Sequence, residues 1–148
     1  MDEKSENKAI AAIVREDPRY PAEAYELVVD ALRAAAGKRR KSHRGPRIAR
    51  LNAAGLLDAV RGFALDEYGP MTLTLLESWN VRACRDLGEV VFNLACRGVI
   101  ALEADDRRED FLGGFDFEEA FRRPFEPERP IIVPARSRRR RLGFFWKA

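Results

Sequence analysis

Apolar residues recur every three to four positions through most of this chain, which is the spacing of amphipathic helices. Ile10, Ile13 and Val14 mark a first helix over residues 5–16. Asp17-Pro18 ends it, because proline pushes the residue before it out of the helical region. Pro21 opens a second helix at a position where its missing N–H costs nothing. Ala24, Tyr25, Val28, Ala31, Leu32 and Ala35 form the second stripe, and Gly37 is the expected C-terminal cap. Together these make an N-terminal helical hairpin over residues 1–37.

A second periodic block spans residues 55–125. Leu56, Leu57, Val60, Phe63, Ala64 and Tyr68 predict one helix, and Gly69-Pro70 stops it and restarts another. In that next helix Leu73, Leu76 and Trp79 are the expected inner face, and Asn80 breaks it. Asp86 and Glu89 have the spacing of a capping box, with Asp86 as cap. Leu87, Val90, Val91, Leu94 and Ala95 are the stripe of the third helix, which Gly98 ends.

After Gly98 the pattern changes. Val99-Ile100-Ala101-Leu102-Glu103 reads as a short strand, Ala104 to Arg107 as a polar turn and Glu109-Asp110-Phe111-Leu112 as a returning strand. Asp116 caps a short helix flanked by Phe115, Phe117, Phe121 and Phe125, aromatic side inward. Pro124, Pro127, Pro130 and Pro134 then predict extended chain. The expected fold class is mainly α: an N-terminal helical hairpin plus a three-helix core with a small β-hairpin (winged-helix-like), and an extended basic C-terminal tail over residues 126–148.

Several of these stretches stand in an order that resembles a family of small bacterial proteins with no assigned function. They are EYGPM, a helix ending in Trp79, DLGEVVFNL and DFLGGFDFEEAF. The resemblance covers residues 56–125, with DPRY and AYELVVDAL of residues 17–32 in support. It implies no catalytic residues. This chain departs from the family pattern in extra residues between His43 and Leu56 and in its arginine-rich C-terminus.

Charge sharpens the picture more than composition does. At 148 residues the length suits one domain. The net charge of +3 hides a segregation. Residues 37–50 carry Lys38, Arg39, Arg40, Lys41, Arg44, Arg47 and Arg50 and no acid; residues 134–148 carry Arg136, Arg138, Arg139, Arg140, Arg141 and Lys147 and no acid. The other 14 basic residues face all 24 acidic ones, so the body stands near −10. The basic run at residues 38–54 is self-repelling and is expected to be a solvated, mobile linker.

Candidate chemistry is sparse. Cys84 and Cys96, with His43 distant, cannot complete a four-ligand zinc site, so two reduced thiols are expected. His43 lies in the basic linker without a positioned partner for general-base work. Asp105, Asp106, Glu109, Asp110, Asp116, Glu118 and Glu119 show no acid/base spacing and read as a solvated acidic face. Gly113-Gly114 lacks the surroundings of a phosphate loop. No enzyme activity, cofactor or metal is expected.

A winged-helix order would make the third helix a groove reader, presenting Arg85, Asn93 and Arg97 but also Asp86 and Glu89. The arms offer phosphate contacts without sequence information. Phe144, Phe145 and Trp146 add aromatic faces on which bases stack. The leading expectation is a non-enzymatic accessory protein contacting nucleic acid, RNA or the ribosome. The contacts would come from Lys38, Arg39, Arg40, Lys41, Arg44, Arg47, Arg136, Arg138, Arg139, Arg140, Arg141, Phe144, Phe145 and Trp146. The alternative is a protein–protein interaction module whose winged-helix-like core and arms dock an acidic partner; a merely solubilising tail is the plainest role for the C-terminus. The charged N-terminus and the lack of a long apolar run predict a cytoplasmic protein with no membrane contact.

Overall fold

The computed structural model describes residues 2–42, 52–102 and 106–128, with side chains to Gly37 in the first stretch. Five α-helices are formed there: α1 (Glu3–Glu16), α2 (Ala22–Ser42), α3 (Ala53–Tyr68), α4 (Thr72–Ser78) and α5 (Cys84–Cys96). Short helical turns follow at Arg108–Phe111, Glu118–Arg122 and Arg123–Phe125, and another, Gly69–Met71, joins α3 to α4. Among the described residues no helix is long and apolar enough to cross a membrane.

The helix boundaries have local causes. Asn52 caps α3 by accepting from the Gly55 N–H at 2.9 Å. Gly69 closes α3 at a positive φ of 51°, and Thr72 then donates to the Gly69 carbonyl at 2.7 Å. Asn80 takes a φ of 61° after α4, which ends the helix as its sequence suggested. Gly37 does not act as a cap. α2 runs on to Ser42, so Lys38, Arg39, Arg40 and Lys41 belong to its last turns. Asp86 is not the cap of α5 either: the helix starts two residues earlier, and Asp86 reaches back from its first turn to the N–H groups of Arg82 (2.9 Å) and Ala83 (3.2 Å).

The β-hairpin expected after Gly98 is not present; no strand forms among the described residues. Two features replace it. Gly98, at φ 73°, turns the chain back on α5, with Gly98 N–H on the Ala95 carbonyl and Val99 N–H on that of Leu94, both at 3.0 Å. Val99, Ile100 and Leu102 then lie partly buried against the core, without a pairing partner. Farther on, Asp110 accepts from the Arg107 N–H at 2.9 Å and winds Arg108–Phe111 into a 3₁₀ turn. That turn drives Phe111 into the interior, fully buried, while Leu112 stays 61% exposed. The winged-helix-like reading therefore fails at its wing.

It fails at its third helix as well. α5 is the central helix of the bundle: Cys84, Leu87, Gly88, Val90, Val91 and Leu94 are buried, and only Arg85 and Cys96 are exposed. Phe111 sits directly on Gly88, where any larger residue would meet its Cβ at 2.8 Å. One continuous apolar cluster joins Ile10 and Ile13 of α1, Tyr25 and Val28 of α2, Leu56 and Val60 of α3, Leu76 of α4 and this face of α5. Phe117 and Phe121 close the far end, their rings 5.1 Å apart and nearly perpendicular. Trp79, expected on the inner face, caps α4 at the cluster's edge and is only partly buried.

Candidate functional site

The densest polar arrangement lies where the α1–α2 connection meets the first half of α5. Asp17 and Arg19 flank Pro18, which stops α1 and turns the chain. Arg19 grips Asp17 with Nε to Oδ1 at 2.9 Å and Nη2 to Oδ2 at 2.7 Å. Its Nη2 also donates to Oε2 of Glu89 on α5, at 3.2 Å. Asn93, one turn farther along α5, donates from Nδ2 to Asp17 Oδ2 and to the Tyr25 hydroxyl oxygen, each at 3.1 Å. Tyr20 donates to Asp86 Oδ1 at 2.7 Å. Asn80, held at its positive φ, donates to the Arg19 carbonyl at 3.2 Å.

These bonds fix the charge states of the network. The Arg19 guanidinium holds the Asp17 carboxyl well below the usual carboxylate range, against the opposing effect of its partial burial. Burial, then the Asp86 carboxylate accepting its proton, pushes the Tyr20 hydroxyl far up. Burial also raises Tyr25. Asp17 stays ionised and both tyrosines stay protonated across the neutral range, so they work as rigid ties rather than proton carriers.

A surface cleft of about 510 Å³ opens beside this network, lined by Arg19, Tyr20, Asn80, Arg82, Arg85 and Glu89 among others. Its acids are already engaged, Asp86 by two backbone N–H groups and Tyr20, and Glu89 by Arg19. Arg82 and Arg85 make no ion pair among the described residues. Of the outward residues expected on the third helix, only Arg85 is free to meet a ligand. Asn93 is turned inward, and Arg97 pairs with Glu16 of α1.

A second surface feature surrounds the Gly69–Met71 turn. Tyr68 packs edge-on against Trp79, with ring centroids 5.9 Å apart. Burial raises the Tyr68 hydroxyl, and the carboxylates of Glu67, Asp30 and Glu26 raise it further. Pro70 of the same turn lines a shallow cleft of about 160 Å³ together with Leu73, Phe121 and Phe125. Among the described residues, Met71 and Phe125 are two of the three large apolar residues left exposed, at 56% and 43%.

The residues that the sequence singled out for nucleic-acid contact are not brought together in the described structure. Lys38, Arg39, Arg40 and Lys41 follow one another along the end of α2. Arg44, Arg47, Arg136, Arg138, Arg139, Arg140, Arg141, Phe144, Phe145 and Trp146 lie outside the described residues, as does His43. Cys84 and Cys96 are both free thiols. Cys84 is buried, which pushes its thiol pKa up, and it donates to the Phe115 carbonyl at 3.3 Å. Among the described residues no group of three His, Cys, Asp or Glu side chains is gathered to hold a metal ion. The sequence did carry one signal for the polar network. Asp86, Glu89 and Asn93 form a polar stripe down the side of an otherwise apolar helix.

No protein-family model, curated protein or solved structure matches this chain.

Proposed function

We propose that this protein is a non-enzymatic binding protein for nucleic acid, preferentially single-stranded RNA, which it holds through two basic arms. The observation that carries this reading is the charge segregation. Thirteen of the 27 basic residues stand in two acid-free stretches, against a body near −10. Clustered guanidinium and ammonium groups contact phosphates and release counterions, and this yields affinity without sequence readout. The first arm begins on a helix, since Lys38 to Lys41 occupy the last turns of α2. The second ends in Phe144, Phe145 and Trp146, the residue types on which unpaired bases stack. The buried position of α5 supports phosphate contact by the arms over groove reading by a helix.

The test compares the full chain with a variant ending at Ala135, by fluorescence anisotropy on a labelled RNA oligomer across a salt series. Binding by the full chain should weaken steeply with salt. Each phosphate contact adds roughly 0.7 to the log–log slope on single strands, so removal of the tail should flatten it by up to about 4. Trp146→Ala should weaken binding by about 1–3 kcal/mol if one base stacks there. Equal affinity and equal slope for both chains would refute the tail's part. Failure of the full chain to bind RNA, with capture of an acidic protein instead, would favour the protein-docking alternative.

A further inference from the structure

We propose that the apolar corner around the Gly69–Met71 turn is the docking surface for this chain's own C-terminal segment, residues 136–146. The inference goes beyond the nucleic-acid reading and does not depend on it. Three observations carry it.

The first is where the described chain leaves the body. Phe125 and Glu126 line the same shallow cleft as Pro70, and the chain is described to Glu128. Twenty residues follow. The eight steps from Glu128 to Arg136 span at most about 29 Å when fully extended. The described chain therefore leaves the body beside this corner, and the residues that follow are long enough to span either side of it.

The second is apolar surface that the described residues leave open. Met71, in the turn itself, and Phe125, in the cleft that Pro70 lines, are exposed, and Tyr68 and Trp79 are only partly covered. The tail supplies Phe144, Phe145 and Trp146 as matching groups.

The third is charge complementarity. Glu67 immediately precedes Tyr68 on α3, and Glu26 and Asp30 stand one turn apart at exposed positions of α2, which packs on α3. Glu26 and Glu67 make no ion pair among the described residues, and Asp30 has only a 3.8 Å approach from Arg33. Residues 129–148 carry seven basic side chains and no acid. Guanidinium groups meet carboxylates and also sit over aromatic faces, and a surface combining acids with Tyr68 and Trp79 offers both. A docked tail would be withheld from any other partner until a stronger polyanion displaced it.

Limited trypsin digestion of the full chain, without nucleic acid, tests this by the rate of cleavage at Arg136 to Arg141. The variant is Glu26→Lys with Glu67→Lys, both on exposed helix positions. The control, Glu3→Lys with Asp58→Lys, makes the same charge change elsewhere. Asp58 lies two and a half turns before Glu67 on α3 and so faces the opposite way. The variant's tail should be cut roughly two- to tenfold faster than wild type, the effect of losing two surface ion contacts. The control should match wild type. In about 1 M sodium chloride, where screening acts within about 3 Å, variant and wild type should converge. Equal rates for variant and wild type at low salt would overturn the proposal, as would equal acceleration by the control. Protection that grows with protein concentration would assign the surface to a second copy and overturn docking within one chain.

Discussion

Two glycine-to-alanine substitutions, chemically identical and each inside a helix, should shift stability in opposite directions. Gly62 in α3 has nothing within 4 Å of the position a Cβ would take. Alanine there gains helix propensity and should stabilise the fold by about 0.5–1 kcal/mol. Gly88 in α5 has the same propensity to gain. Its new methyl, however, would stand 2.8 Å from Phe111 Cβ and 2.9 Å from its Cγ. Those atoms lie at the root of the side chain, so no rotation of the ring clears them. Phe111 is fully buried against Phe92, at a ring separation of 5.9 Å, and has no open space to enter. Overpacking of this kind costs about 1–3 kcal/mol. Gly88→Ala should therefore fall about 1–3 kcal/mol below Gly62→Ala and come out neutral to clearly destabilised against wild type. Urea unfolding followed by circular dichroism measures both. If Gly88→Ala is as stabilising as Gly62→Ala, Phe111 is not seated on α5, and the account of how the chain turns after Gly98 is wrong.

Other expectations rest on the polar network and the edge of the core. Asp17 has a folded-state pKa below its unfolded value, so its contribution is fully present above about pH 4 and is lost as pH falls through the lowered value. Asp17→Asn should be less stable at neutral pH and lose less than wild type on acidification, read by thermal melts from pH 7 to pH 2; parallel curves would mean the Arg19 pair contributes nothing. Tyr20→Phe removes a 2.7 Å bond to a carboxylate that keeps its backbone partners. A loss of about 1.5–3 kcal/mol is expected in urea unfolding, and no loss would place Asp86 in water. Trp79→Ala should cost less than the roughly 3–5 kcal/mol of a fully enclosed aromatic, because Trp79 caps α4 at the rim of the core. A larger loss in the same assay would place it inside.

Helix existence was legible because burial leaves a stripe: Ile10 and Ile13, Leu56 to Ala64, and Leu87 to Leu94 all face inward at the spacing that predicted them. The ends were less legible. Gly37 has the residue type of a cap, yet its backbone continues as helix, and no local signal distinguishes those outcomes. The strand assignment failed because four apolar residues at 99–102 leave both periods open, and because Glu109-Asp110-Phe111-Leu112 has no alternation to decide between turn and strand. What decides is tertiary: Phe111 fits over Gly88, a pairing between residues 23 positions apart. The polar network was invisible for a similar reason. DPRY looks like a turn between helices, and only the packing of α5 against it gives Asp17 and Tyr25 their common partner, Asn93.

That network also ties the chain's order of synthesis to its order of folding. Its long-range bonds join residues 61 to 76 positions apart: Arg19 to Asn80 and Asp17 to Asn93 at the two extremes. At roughly 5–20 residues per second, α2 is complete about 3–10 s before Asn93, the partner of Tyr25, has been made. During that interval Tyr25 and the apolar face of α2 have no α5 to cover them. The first two helices are thus born as a half-interface, and whatever shields them in those seconds acts before the protein has a native state to defend.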